Sequence, residues 1–573
     1  MQRSTFLRRT GGLALSAALA LGACAQAAEP ALSPADARQQ DLDVLYRSLV
    51  QYHPDLFANT PEADFLARKA EIEARLAGES DVDFSLDLQS LAALAGDSHT
   101  QVSLNAVADQ VRFYPMVLTW YDGHWYLTTA EQAHGDLLGS EVTAVNGHSM
   151  EAVLESFSAL LSADNPVKLR RQYRQSCNVA DLYEYVGLVP EGGDLELTLA
   201  GGPVLAVEPV DAAALGSVSL ARLSDQITVS PATAATEDFY WSAPLNDVTY
   251  YIQYNTCRED PELPMETFTA QVMADLEQGS YSVLLLDLRN NGGGSDGVII
   301  PLLMELAPLV RRGELELWGL VGEATFSSAS INALEIREMG GGLAGEPTSG
   351  SVDHFGSTGS FTLPNTGVRV SRSTKFIDTG TLLECAAGLG VEPIQPDVTV
   401  YQTLEDYLAG QDTLVDALCA RTEPFQPQER PDAPLSRGRL TELLRQAAEQ
   451  AGLDTQAPMQ SLSDLLPCAW YAPGVCWALS SGVASGTGEA MFHASRPVTR
   501  QEGAAMVWQT ARLLGMSPSG TAELTDAGSI ASWALDAAQW AVSAGGLDTQ
   551  NGAFHPQDTL TRAEGEALLS LLP

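Results

Sequence analysis

Lysine is almost missing from these 573 residues: only Lys69, Lys168 and Lys375 occur, so the 31 basic residues are nearly all arginine. Chemistry that needs a lysine base has few places to find one. Positive charge as a whole is scarce. Against 73 Asp plus Glu the formal net charge is −42, and so acidic a chain repels a phosphate backbone or an anionic lipid surface almost everywhere. Nucleic acid is a poor partner. Cysteine is sparse too: besides Cys24 there are Cys177, Cys257, Cys385, Cys419, Cys468 and Cys476, too few over this length for a disulfide framework, although Cys468 and Cys476 lie near enough to pair. None of the eight histidines falls in an HExxH or CxxC-associated pattern, so neither a structural metal nor a cofactor is expected. Past residue 23 no apolar run is long enough for a transmembrane helix. What is present is 45% hydrophobic and 7% aromatic content, enough to fill several cores.

Arg3, Arg8 and Arg9 precede an apolar run from Gly12 to Ala23 and then small residues. That layout is an export signal, expected over residues 1–28. Leu21-Gly22-Ala23-Cys24 also has the form of a lipobox, with Cys24 as the acylated residue, whereas Ala25-Gln26-Ala27 suits an ordinary signal peptidase. Secretion is the reading preferred, with lipidation at Cys24 the alternative.

Residues 29–110 form an expected helical region. Leu42, Leu45, Tyr46 and Leu49 repeat at helical spacing, as do Phe84, Leu88 and Leu91, until Gly96-Asp97-Ser98-His99-Thr100 closes the pattern. Residues 111–238 alternate like strands. FYPMVLTWYDGHWYLTT reads as a hairpin, and EVTAVNGHSM as a strand, an Asn-Gly turn and a helix start, an order also found in PDZ-like peptide-binding modules. Over 239–420 strands (VTYYIQYN, SVLLLDLR, ELELWGLV) alternate with helical patterns (ETFTAQVMADLEQ, SSASINALEIREM), which predicts an α/β core with its site at the strands' carboxyl ends. Pro424, Pro427, Pro431 and Pro434 mark a linker over 421–434.

The remaining residues, 435–573, contain an internal repeat. Trp477-Ala478-Leu479-Ser480-Ser481-Gly482 recurs as Trp540-Ala541-Val542-Ser543-Ala544-Gly545, and Phe492-His493 followed by Thr499-Arg500-Gln501-Glu502 recurs as Phe554-His555 followed by Thr561-Arg562-Ala563-Glu564. Threonine and glutamate three apart predict a capping box at each helix start. Ser436-Arg437-Gly438-Arg439 is a partial third copy without the Trp half, with Arg439 where Glu would stand. These residues resemble S-layer homology repeats. The resemblance implies an all-α, pseudo-threefold bundle, a cell-wall polysaccharide as partner, and Arg500 and Arg562 as its binding residues, hence a secreted, wall-associated protein.

Residues 284–297, LLLDLRNNGGGSDG, are an apolar strand that stops at three glycines, and TFSSAS follows at 325–330. Bare N–H groups at a glycine bend can cradle an oxyanion. Ser327 opens a helical run, so its hydroxyl would stand at a helix N-terminus with the Ser328 N–H beside it; Gly293 or Gly294 would supply the second donor. The ordinary job of such a serine is to cap the helix.

DLRNNGGG, TFSSA, GEPTSG, GDSHT and PDVTV occur together in this chain. As a set they resemble the tail-specific, or C-terminal processing, serine peptidases, above all the tricorn-core branch. That resemblance implies a ClpP/crotonase-like core, polypeptide substrates, Ser327 as nucleophile and Gly293 and Gly294 in the oxyanion loop. One branch of the family uses a lysine base, but its position falls near Ser351 here. The other uses the histidine of a GDxHT motif, which implies His99 as base with Ser98 beside it, and His354 as the alternative base. A supporting glutamate before the closing strand is Glu384 or Glu392, with Glu384 preferred. The rival expectation is a catalytically silent wall protein that holds peptides in the same cleft.

Overall fold

The computed structural model describes residues 32–228, 230–231, 234, 237–425, 433–488 and 490–573. The expected export signal, with Cys24, and linker residues 426–432 lie outside the described residues.

The protein is a mixed α/β structure built on one six-stranded sheet. Its strands follow chain order: β1 (Tyr240–Pro244), β2 (Thr249–Tyr254), β3 (Val283–Asp287), β4 (Glu316–Val321), β5 (Gly342–Gly345) and β6 (Val398–Thr399). β1 runs antiparallel to β2, and every later pair is parallel. All six residues of β2 are buried, as a parallel sheet covered on both faces requires. The helices Met265–Gln278 and Ile300–Arg311 make the crossovers on either side of β3, and a third helix returns the chain from β4 to β5. Parallel crossovers of this kind bring the loops after β3 and β4 to one sheet edge. Those loops carry the glycine run and Ser327.

Three helices, Pro34–Tyr52, Glu62–Glu73 and Asp81–Ala93, form the cap. Leu42, Leu45, Phe84, Leu88 and Leu91 pack there against Leu363, Val368 and Val370 from the far side of the core. Buried Asp41 fixes that contact, since its carboxylate accepts from the Asn365 and Thr366 N–H groups at 3.1 and 2.8 Å. Between cap and core the expected hairpin pairs Val117–Tyr121 with His124–Glu131 through a turn at Asp122 and Gly123, both at positive φ. Asn146 and Gly147 make the second expected turn in the same way. From this region a basic helix, α1 (Pro166–Ser176), reaches the core.

The elements of residues 433–573 are helices, one short 3-10 turn and isolated bridges. Three of the helices start alike: Arg437–Gln450 behind Ser436, Arg500–Leu513 behind Thr499 and Arg562–Leu569 behind Thr561. Both threonine starts carry a complete capping box with Glu502 or Glu564, and Ser436 caps without one. A closed ring of backbone hydrogen bonds joins the three starts: Leu435 N–H to Leu560, Leu560 to Val498 and Val498 to Leu435, at 2.8 to 2.9 Å. This is local threefold symmetry, with the abbreviated first copy taking its full place in the ring.

The six described cysteines are free thiols, Cys468 and Cys476 included, so the pairing allowed by their spacing does not form. Among the described residues no helix is long and apolar enough to cross a membrane, and no cluster of His, Cys, Asp or Glu could hold a metal ion.

One buried acid lies inside the core without a cationic partner among the described residues. Burial pushes the Glu335 carboxyl up to about 8, helped by Asp296 and opposed by the Asn332 amide, which donates to it at 2.7 Å. A carboxyl raised in the folded state leaves stability intact below its ordinary value and reduces it as pH climbs towards the raised one. Glu335→Gln is therefore expected to match the wild type near pH 4.5 and to be more stable at pH 8 by on the order of 3 kcal/mol. Urea unfolding at the two pH values measures this; equal midpoints at pH 8 refute it.

Candidate active site

β4 ends at Val321, and the chain turns through Thr325 and Phe326 into helix α2 (Ser328–Glu338). Thr325 fixes the turn: its hydroxyl donates to the Leu288 carbonyl at 2.9 Å and accepts from the Gly322 N–H at 3.1 Å. Ser327 sits at the N-cap with φ 55° and ψ −128°, a left-handed conformation that a non-glycine residue rarely adopts. Its side chain takes no N–H of the helix. The hydroxyl is therefore not capping, and it lies 3.1 Å from Nε2 of His99.

His99 reaches this point from 228 residues away. The cap helix Asp81–Ala93 ends, Gly96 turns at φ 57°, and residues 101–102 pair with Ser371 and Val370 of the core. Buried Asp97 holds the intervening turn by accepting from the His99 N–H at 2.9 Å, from Thr100 Oγ1 at 2.5 Å and from His53 Nε2 at 3.1 Å. Burial would push the Asp97 carboxyl up, but those bonds outweigh it and hold it below its ordinary value. The His99 ring stacks on Phe326, centroids 4.6 Å apart, and on His354 at 5.7 Å. The Asp97 carboxylate stands 3.9 Å from its Nδ1, and the Phe355 backbone also acts to raise its proton affinity. Burial lowers the His99 imidazole to about 4; Asp97 opposes this, while His354 and Lys168 add to it. A neutral ring beside a hydroxyl can accept its proton.

The glycine loop lies against the serine. A methyl group added to Gly293, at φ 104°, would stand 2.8 Å from Ser327 Cβ and 3.1 Å from the Ser328 nitrogen. At Gly294, φ 146°, it would meet the Cys257 carbonyl at 2.2 Å. Only glycine fits either place. Asn291, which sequence reasoning passed over, ties the two turns together. Its Oδ1 accepts the Gly293 N–H at 2.9 Å, its carbonyl accepts the Phe326 N–H at 3.1 Å, and its amide donates to Tyr254 at 2.9 Å. The available signal was a polar residue immediately before a glycine run.

The structure does not bring together every expected residue. Gly293 is corrected as an oxyanion donor, because its one N–H is engaged by Asn291. Glu384 does not approach His99; its carboxylate pairs with Arg439 of the repeats at 2.8 Å. Glu392 is exposed, so neither glutamate supports the imidazole. Ser98 donates to Asp164 at 2.5 Å and acts on the turn behind His99. His354 is buried, with Nδ1 on the Ser351 carbonyl at 3.0 Å. Arg500 is a lock between repeats and not an open binding group: it donates to the Phe554 and Asp548 carbonyls at 2.8 and 2.6 Å and pairs with Glu564. Arg562 faces the α/β core, 3.9 Å from Glu384.

The S-layer homology domain family matches residues 461–504 and 523–564, which are S-layer homology repeats. No curated protein matches the chain. Among solved structures it is similar to mature CPAF complexed with lactacystin, at 14% identity, 65% of this chain, 95% of that one and TM-score 0.44. It is also similar to the photosystem II D1 C-terminal processing protease, at 14% identity, 63% and 93% coverage and TM-score 0.29. The tricorn protease is a further likeness, at 14% identity, 68% and 36% coverage and TM-score 0.28.

Proposed function

We propose that the chain is an exported serine endopeptidase with a ClpP/crotonase-like core, held at the cell wall by an all-α unit of S-layer homology repeats. The single observation that carries the catalytic reading is the Ser327 hydroxyl, strained, free of its helix and 3.1 Å from Nε2 of buried His99. In the reaction Ser327 Oγ attacks the peptide carbonyl carbon while its proton passes to His99 Nε2. Negative charge collects on the carbonyl oxygen, where the Ser328 N–H at the start of α2 and the Gly294 N–H are the donors; removal of one such donor slows related reactions by roughly a hundred- to a thousandfold. The imidazolium returns its proton to the leaving amine, and water then hydrolyses the acyl-enzyme by the same route. Asp97 supplies the negative charge nearest Nδ1. Attachment falls to the repeats, with an anionic wall polysaccharide as ligand.

A fluorophosphonate probe tests this reading, since it reacts only with an activated serine. One label, mapped by peptide mass to Ser327, is the expected result. No label, or a label on another serine, refutes it. The 3.9 Å between Asp97 and Nδ1 of His99, longer than a hydrogen bond, favours one second reading, a cleft that holds peptides without cutting them; peptide binding without any label would decide for that.

A further inference from the structure

Helix α1 is the most basic stretch of this acidic protein, with Lys168, Arg170, Arg171 and Arg174 in two turns. Its N-cap is fastened beside the nucleophile turn: Asn165 donates to the Ser349 carbonyl at 3.0 Å and to Ser351 Oγ at 2.9 Å. Arg174 pairs with Glu323 at 2.9 Å and Arg171 donates to the Ala324 carbonyl at 3.1 Å. Arg170 lies over the Trp120 ring, 3.7 Å from its centre and 3.8 Å from the Glu323 carboxylate, without a hydrogen bond among the described residues. Lys168 is the one of the four set against the residue before Ser327. It is 7% exposed, its Nζ rests 3.4 Å from the centre of the Phe326 ring, and among the described residues that nitrogen makes no hydrogen bond or ion pair. Phe326 directly precedes Ser327, and the same ring carries His99.

A nearly buried ammonium without an acceptor is costly, and an aromatic face offsets only part of the cost. Of the two nearby carboxylates, Asp164 accepts from Ser98 and from the Asn165 amide on Oδ1, and Asp97 accepts from His53, Thr100 and the His99 N–H; neither pairs with Nζ among the described residues. Burial, with Arg171 adding and Asp164 and Asp97 opposing, lowers the Lys168 amine to about 7. An incoming anion would hold the proton on it.

Resting on the peptidase reading, we infer that Lys168 is a specificity-determining residue that receives a carboxylate of the bound peptide beside the scissile bond. An acidic side chain and a free C-terminus present the same group. The site would thus select acidic or terminal segments.

The test measures binding without turnover. One fluorescein-labelled peptide is prepared as the free acid, as the C-terminal amide and with its glutamates changed to glutamine, and each is titrated by anisotropy into Ser327→Ala at pH 6. At least one carboxylate form is expected to bind roughly tenfold more tightly than its neutral counterpart, and the pair that shows the gap names the source. Adding Lys168→Met should close the gap. Lys168→Arg should keep it at pH 9, where the unaltered lysine loses it. Equal or undetectable binding of all three peptides, or a gap that survives Lys168→Met, overturns the inference. Failure of the peptidase reading shows itself separately, as a missing fluorophosphonate label in the protein that retains Ser327.

Discussion

Ser327→Ala and His99→Ala each lower peptide hydrolysis by on the order of ten-thousandfold or more, and the double variant is no slower than the worse single one. The non-additivity follows from the geometry. The two side chains share one hydrogen bond of 3.1 Å, so removing either partner ends the same proton transfer, and whatever rate remains comes from the oxyanion donors and substrate binding. Two independent contributors would instead multiply. A double variant slower by the product of the single effects would show that Ser327 and His99 do not act as a pair.

The pH profile carries the same argument further. An ordinary imidazole puts the acid limb of a base-assisted reaction near 6.5. His99 is buried against Phe326 and His354, and its proton affinity lies well below that, at about 4. A lowered value means that the ring is neutral, and able to accept a proton, down to acidic pH. Hydrolysis should stay level from pH 8 to about 5.5 and fall only below that. A limb near 6.5 would mean that water reaches the ring in the working enzyme.

Much of this arrangement was legible because it is local. The apolar run of β3, the glycines after it and the serine opening α2 obey short-range rules, and so do the turn at Asp122 and Gly123 and the capping boxes at Thr499 and Thr561. Pairing His99 with Ser327 was different in kind. Nothing periodic links positions 228 residues apart; only the co-occurrence of motifs pointed to it. What stayed hidden depends on which way a single group faces. The choice between Gly293 and Gly294 is made by the Asn291 amide, and the exclusion of Glu384 by an ion pair with Arg439, whose partner lies on another unit of the fold. Lys168 was visible as one of three lysines but not as a neighbour of the nucleophile, because the lysine of the related branch stands elsewhere in the chain.

Glu338→Ala is expected to release the repeats from the α/β core. The residue ends α2, the helix that Ser327 begins, and it is buried. Its carboxylate accepts from the Tyr471 hydroxyl of the repeats and from the Glu384 and Cys385 N–H groups at 2.8 and 3.0 Å. Burial and nearby Glu384 push the carboxyl up, and these three bonds pull against that. Around it Trp470 N–H reaches the Glu338 carbonyl at 3.0 Å, Arg439 pairs with Glu384, and Ser495 donates to the Thr381 carbonyl. Alanine leaves three buried donors without an acceptor, at about 1 to 3 kcal/mol each. That makes it the largest single polar contribution to a junction that also holds these hydrogen bonds, the Arg439–Glu384 pair and the packing of Cys468 and Leu466 into the core. With a specific protease site placed between residues 425 and 433 and then cut, the wild-type halves should co-elute in gel filtration and the Glu338→Ala halves should separate. The serine end of α2 is fastened independently, through Asn291 and the Ser328 hydroxyl on the Gly294 carbonyl at 2.9 Å. Fluorophosphonate labelling should therefore persist in the released core. Variant halves that still co-elute would show that the surrounding contacts, and not the buried glutamate, hold the repeats to the α/β core.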